Sequence, residues 1–415
     1  MTSRICIRAI GLFVVAAVGC GSEEAAVERN VDASSWPIRT AVRSNVSIAD
    51  KLAGALADEP GNLFYSPLSI EAVTGVLFAG SAGNTAAQLS AVLDAEGDPA
   101  ALHEGLGALL KDLRREHSQY TLSLANRLWV SPEIESSPAF NDTLRDQYDA
   151  PTVQLDFGLD PAAALAQING WVSDQTASKI PMFLKPTEIT GNTALAIVNA
   201  IYFKADWAKA FDPSLTRTDK FYRADSSEVS VEMMSTQKSK LRSKVDQGAR
   251  WLELPYRTGD VSFLVYTRES ESTEVASVQA LQQDLEDVDL SEVVESLEER
   301  EVVVQMPRFS MRSRIELIPV FKELGVTDLF ERGRANLANI HRAGGLAIDV
   351  FVHEAAIWVD EQGTVAVAAT AAAGTRLGGT RPVRLDRPFL FMIRDNLTGA
   401  ILFSGRVADP SATAD

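Results

Sequence analysis

From residue 46 onward the apolar positions fall into readable periods. Ile48, Leu52 and Leu56 recur at helical spacing, and the same period predicts helices near 68–79, 85–93, 99–116 and 161–177. Elsewhere the pattern is that of strands. Tyr120–Val130, Ala194–Phe203, Val261–Thr267, Glu301–Met306, Ile348–Val359, Phe389–Arg394 and Ala400–Val407 are rich in β-branched and aromatic residues. Helices dominate early and strands late. No internal repeat and no Pro/Gly/Ser-rich linker divides the region, so one α+β domain is expected over about 45–410, with a short tail at 411–415.

The first 44 residues are patterned differently. Arg4 and Arg8 precede an apolar run from Ile10 to Val18. Small residues then lead to Ala17-Val18-Gly19-Cys20, and the polar Gly21-Ser22-Glu23-Glu24 follows. Residues 1–19 therefore read as an export signal, and the apolar run is far shorter than the roughly 20 residues that span a bilayer. A Cys directly after the small residues resembles a bacterial lipobox, with Ala17 where such boxes usually carry Leu. The resemblance implies that Cys20 becomes the lipidated first residue of the mature chain, at the bacterial outer membrane or cell surface. Ordinary cleavage and extracellular secretion is the alternative. Residues 20–44 show no sustained apolar period and are expected to form a tether, reaching roughly 25–30 Å as a flexible coil.

Composition narrows the chemistry. The 415 residues carry 39 Lys plus Arg against 56 Asp plus Glu, a formal charge of −17. That balance gives no long-range attraction to phosphate backbones, which excludes nucleic-acid binding as the main activity. Two Cys, Cys6 and Cys20, and four His exclude Cys-rich zinc motifs and a disulfide framework. No G-x-S-x-G elbow, H-E-x-x-H pair, P-loop or G-x-G-x-x-G is present, so no enzyme, cofactor or metal is indicated. His103, His117, His341 and His353 are scattered and read as hydrogen-bonded structural residues. Lys111, Arg114 and Arg115 alternate with Asp112 and Glu116 and read as a solvated helix face rather than a polyanion site.

One segment resists assignment. After Glu361, the run to Thr375 (EQGTVAVAATAAAGT) contains no charge, Pro or aromatic residue for 14 positions. Ala-rich tracts favour helix or a flexible linker. As a strand, however, Thr364, Ala366, Ala368, Thr370 and Ala372 share one face, all small, while Val365 and Val367 lie on the other. Such a strand slides between two others without striking the core beneath. Gly363 supplies freedom for the turn.

Several strings, in order, resemble the serpin family: NLFYSPLSI at 62–70, GSAGNTAAQL at 80–89, NAIYFK at 199–204 with Trp207 and Phe211, and LELPY at 252–256. MPRF at 306–309, residues 352–370 and RPFLFMIRDNLTGAILFSGRVADP at 387–410 complete the set. The resemblance implies the serpin fold, with three β-sheets, eight or nine helices and an exposed reactive-centre loop. It also implies a monomeric suicide-substrate inhibitor that is not an enzyme and needs no cofactor. A serine or cysteine protease cleaves the loop, which inserts into the main sheet and traps the acyl-linked protease. Loop–sheet polymers are a side route of the same insertion. A non-inhibitory serpin used for binding, storage or chaperoning is the alternative; such proteins often carry bulky or charged hinge residues.

Carried over position by position, the resemblance makes Glu361, Gln362, Gly363, Thr364, Val365, Ala366, Val367, Ala368, Ala369 and Thr370 the loop hinge. Ser66, Ser69, Asn199 and His353 become a polar shutter behind the strands that part. Arg308, Glu361 and Trp207 mark the breach where insertion begins. The resemblance places the attacked bond between Leu377 and Gly378, because Leu377 stands 16 residues after Glu361 and 11 before Pro388 and both offsets resemble the commonest family register. Arg376–Leu377 is the alternative. Leu377 implies chymotrypsin-, elastase- or subtilisin-like targets, and Arg376 trypsin-like ones.

Overall fold

The computed structural model describes residue 29 and residues 31–95, 97–115, 120–269, 275–286, 288–364 and 382–412. Four of its helices begin on the same local signal. In Ser66-Pro67, Asp98-Pro99, Ser137-Pro138 and Asp160-Pro161 the first side chain accepts a backbone N–H of the opening turn while Pro takes the first helical position. These start Pro67–Gly80, Pro99–Leu113, Pro138–Thr143 and Pro161–Gln175. With Trp36–Ala55, Gly83–Val92, Val278–Gln283, Leu290–Glu295 and Leu317–Glu323, the described residues contain nine α-helices.

The strands form three sheets. A seven-stranded sheet runs in the order Leu63–Tyr65, Ile401–Val407, Phe389–Asp395, Val261–Arg268, Ala249–Pro255, Ser239–Asp246, Glu298–Val302. A four-stranded sheet runs Val383–Arg384, Val304–Pro307, Glu228–Ser235, Arg217–Tyr222. The main sheet has six: Phe309–Glu316, Val350–Val359, the two-residue Gly363–Thr364, Leu195–Asp206, Tyr120–Val130 and Val153–Gln154.

Alternation along Leu195–Asp206 fixes the layers. Ile197, Ile201, Phe203 and Ala205 face the large core shared with Trp36–Ala55, Pro67–Gly80 and the seven-stranded sheet. Ala196, Val198 and Ala200 face Ile168 and Val172 of helix Pro161–Gln175, which lies across the opposite face. The main sheet is thus buried on both sides, and its long strands read as nearly unbroken apolar runs.

Three expectations are corrected. The tether does not extend to residue 44, because a helix begins at Trp36 and buries Ile38, Thr40, Ala41 and Ser44. Two of those four side chains are hydroxyls and a third is only a methyl, so hydropathy alone carries no period. The strand expected over 301–306 is two strands in different sheets. Val302 pairs with Ser239, whereas Val304 pairs with Val383, and the chain changes sheet at Val303. Lys111, Arg114 and Arg115 are not one solvated face: Arg114 donates to Tyr148 O at 3.1 Å, and Arg115 donates through Nε to Asp112 O at 3.1 Å.

Candidate functional site

The site lies where strand Val350–Val359 ends and the loop begins. Asp360 turns the chain: its Oδ1 accepts from the backbone N–H of Gln362 at 2.9 Å and Gly363 at 3.2 Å, and its own N–H donates to Gly363 O at 3.0 Å. Gly363 and Thr364 therefore fold back into the main sheet. Thr364 pairs with Val359 on one side and Ala205 on the other, and Gly363 pairs with Asp206. Just beyond, Val350–Val359 and Leu195–Asp206 pair directly with each other in parallel, from Val350↔Ala196 to Ala356↔Tyr202. Gly363 and Thr364 are wedged into one end of that pair.

Gly363 fits for a reason other than turn freedom. A Cβ there would stand 2.1 Å from Ala205 O and 2.7 Å from Asp206 Cα, so close backbone approach demands glycine. The Thr364 side chain is fully buried, and its hydroxyl shares a 2.7 Å hydrogen bond with the Tyr256 hydroxyl. Tyr256 in turn stacks flat on Trp207, centroids 4.7 Å apart. Trp207 holds the turn at two points, donating from its backbone to Gln362 O at 2.8 Å and from Nε1 to Asp360 O at 3.0 Å.

Glu361 is buried between two donors. Arg308 Nη2 reaches its carboxylate oxygens at 2.6 and 2.8 Å, and the Thr216 hydroxyl donates to Oε1 at 2.6 Å. Burial alone would raise its pKa, but these hydrogen bonds and the guanidinium charge outweigh it and hold the carboxyl below its ordinary value. The structure thus brings Arg308, Glu361 and Trp207 together around the turn. Thr216, Tyr256 and Asp360 were not singled out in the sequence. Tyr256 closes the LELPY string, but its contact with Thr364 crosses 108 positions and left no local signal.

Behind the parallel pair lies a second cluster. Ser66 Oγ donates to Leu402 O at 2.6 Å while accepting from Ser69 N at 3.0 Å. Ser66 N donates to His353 Nε2 at 3.1 Å, which leaves the ring proton on Nδ1, donating to Asn199 Oδ1. The Asn199 amide donates to Ser69 O, Ser69 Oγ and Asn126 Oδ1, each at 2.7 Å. All four residues of the expected shutter are in this network, and Asn126, which pairs with Asn199 across strands, is a fifth member missed in the sequence.

Burial keeps His103 and His353 neutral, their pKa values pushed down to about 4 and about 3. In the unfolded chain such groups titrate near 6.5. Below about pH 6.5 the unfolded chain takes up protons that the folded chain refuses, so this contribution to stability is full above that pH. It declines toward acid by up to about 1.4 kcal/mol per pH unit for each histidine. Glu71, buried and pushed up to about 8, opposes this because the folded chain keeps a proton that the unfolded chain has lost. The two chains are therefore compared directly: from about pH 7 to pH 5 the urea midpoint of His353→Gln should fall less, or rise more, than that of wild type. An unaltered slope would remove His353 from the account.

The hinge residues Val365, Ala366, Val367, Ala368, Ala369 and Thr370, the candidate bond residues Arg376, Leu377 and Gly378, and Cys20 lie outside the described residues. Among the described residues no group of three or more His, Cys, Asp or Glu side chains is placed to hold a metal ion.

Comparison with known proteins converges on one family. A family model described as serpin (serine protease inhibitor) matches residues 43–410. The leukocyte elastase inhibitor of Bos taurus is 36% identical over 356 residues, covering 84% of this chain and 93% of the relative. An uncharacterized serpin-like protein of Methanosarcina acetivorans is 32% identical over 371 residues, covering 88% and 85%. The crystal structure of uncleaved ovalbumin superposes with a TM-score of 0.78 at 29% identity, covering 91% of this chain and all of that one. The three sheets, the nine helices and the wedged hinge accordingly belong to a chain of the serpin family.

Proposed function

We propose that this protein is a suicide-substrate inhibitor of serine endopeptidases of the elastase, chymotrypsin or subtilisin kind, acting by insertion of its cleaved loop into the main sheet. The observation that carries the reading is the seat of Thr364 between Ala205 and Val359. The strands that must separate are already parted at that end, and they pair directly beyond it. Advancing the same register one residue at a time would bring Thr370, six steps on, between Asn199 and His353. The small-faced residues Ala366 and Ala368 would precede it on the core side of the sheet. The direct pairing of Asn199 with His353 is what such a strand would replace.

The balance of the reaction is simple. The protease serine attacks the carbonyl of Leu377, the bond to Gly378 breaks, and the Gly378 amine leaves with the proton taken from the serine. The new ester ties the enzyme to the inserting strand. The named activity of the leukocyte elastase inhibitors supports an elastase-like target, with Leu377–Gly378 as the bond and Arg376–Leu377 as the alternative. Mixing with elastase, chymotrypsin, subtilisin and trypsin should give a covalent complex stable on a denaturing gel. It should also release a C-terminal fragment whose mass begins at Gly378. A fragment beginning at Leu377 moves the bond to Arg376, and cleavage without any complex supports the binding, storage or chaperone alternative instead.

We also propose that Cys20 is lipidated and holds the protein at a bacterial envelope. The support is the apolar run that ends in Val18-Gly19-Cys20. Wild type should partition into detergent and Cys20→Ala into the aqueous phase; equal release of both would refute the anchor.

A further inference from the structure

Arg29 lies in the stretch read from the sequence as a tether, yet its side chain is only 8% exposed. Its guanidinium spans two carboxylates from different layers of the fold. Nε and Nη2 donate to Asp112 Oδ2 at 2.8 and 2.5 Å, while Nη1 and Nη2 donate to Asp395 Oδ1 and Oδ2 at 2.5 and 3.2 Å. Asp112 stands in the last turn of helix Pro99–Leu113, and the fully buried Asp395 ends strand Phe389–Asp395 of the seven-stranded sheet. Each aspartate has a little other support. Arg115 lies 3.4 Å from Asp112, and Thr398 donates to Asp395 from its backbone at 2.9 Å and its hydroxyl at 2.6 Å. Val31 packs against the main core just beyond.

The clamp stands at one end of a row of paired residues crossing the main sheet. After helix Pro99–Leu113 the next strand begins at Tyr120, which feels the charges of Arg29, Asp395 and Asp112. Tyr120 pairs with Ala205, Ala205 with Thr364, Thr364 with Val359, and Val359 with Phe309. Arg29 therefore fastens helix Pro99–Leu113, the element that precedes the outer strand in the chain, to the neighbouring sheet at the level where Thr364 enters. Without it, two buried carboxylates lose the cation between them and the polar link from helix Pro99–Leu113 to Asp395 through Arg29 is gone. The strands Tyr120–Val130 and Leu195–Asp206 are then freer to move away from Val350–Val359.

We infer that Arg29 is the pin of an N-terminal strap that restrains opening of the main sheet, and that freeing it lets the uncleaved loop insert and silences the inhibitor. The inference rests on the insertion reading above. Asp32 and Ser34, exposed between the pin and the first helix, place the connection within reach of trimming, which would separate Arg29 from the helix. A tethered cation is present at high effective concentration, and a severed one is not.

The test compares the full mature chain as wild type, Arg29→Ala, Arg29→Lys and the double variant Arg29→Ala/Thr364→Arg during incubation at graded temperatures. Two readouts are taken: covalent trapping of elastase, and appearance of a urea-resistant inserted form on transverse gels. Freshly prepared Arg29→Ala should trap elastase as wild type does, then lose trapping at least tenfold faster. The lost fraction should appear as urea-resistant monomer or polymer. Arg29→Lys, which keeps the charge but not the fork, should fall between and decides the matter if the alanine variant does not fold. The double variant should form no urea-resistant product, because insertion is blocked at its first step. Loss at the wild-type rate, loss as urea-sensitive aggregate, or an equal yield of urea-resistant product in the double variant would overturn the strap. If fresh wild type traps no protease, the inhibitory reading fails, while the rate of urea-resistant conversion still reports on Arg29.

Discussion

In Thr364→Arg, target proteases are expected to go on cutting the loop while the covalent complex disappears. Thr364 is fully buried, and its hydroxyl bonds to that of Tyr256, which is itself buried against Trp207. A guanidinium cannot remain there without a counter-charge. Either it stays in water and holds the hinge out of the sheet, or it enters unpaired at a cost of at least about 3 kcal/mol. Three kcal/mol on the barrier slows insertion more than about a hundredfold. Deacylation then outruns insertion, and the protein is consumed as a substrate. A gel series at increasing inhibitor-to-protease ratio reads this directly. A complex formed at wild-type stoichiometry would contradict the insertion mechanism. Thr364→Val, which removes the hydroxyl without adding a charge, should still trap and controls for loss of the Tyr256 contact.

What could be read in the chain and what could not divides along physical lines. Strands such as Leu195–Asp206 were legible because a sheet buried on both faces leaves an apolar run, and helices such as Pro99–Leu113 because their buried leucines recur at helical spacing. Helix Trp36–Ala55 was missed over its first half because it buries Thr40, Ser44 and Asn45 along with its apolar residues. Arg217–Tyr222 and Ser239–Asp246 were missed because their outward positions are charged and their inward ones few. The site followed the same rule. Ser66, Ser69, Asn199 and His353 came from family resemblance, not from spacing, since they lie on three separate elements. Asn126 stands in no string that the resemblance singled out, and Tyr256 closes one of them, LELPY, without having been given a role there. Arg29 could not be placed at all, because its partner Asp395 is 366 residues away and nothing around Arg29 is periodic.

Asn199→Ala is expected to give the largest loss of native stability among single changes in the shutter. The amide makes three 2.7 Å hydrogen bonds and its oxygen takes the proton of His353 Nδ1, all in a fully buried setting. Alanine removes every one of these and leaves Ser69 O, Asn126 Oδ1 and the His353 N–H short of a partner. Each buried group left unpaired costs about 1–3 kcal/mol, so three of them sum to about 3–9 kcal/mol, and the lower part of that range is expected because Asn126 Oδ1 still accepts from the Ser69 hydroxyl at 3.3 Å. Position decides the consequence. Asn199 and His353 face each other across the parallel strands that must separate, so the same loss that destabilises the closed sheet lowers the barrier to opening it. Asn199→Ala should therefore show a lower urea midpoint, a faster rate of polymer formation on mild heating, and near-normal stability once the loop has been cut and inserted, because Thr370 would then occupy the gap. Equal destabilisation of the uncleaved and cleaved forms would mean that the network is an ordinary polar core with no part in the opening of the sheet.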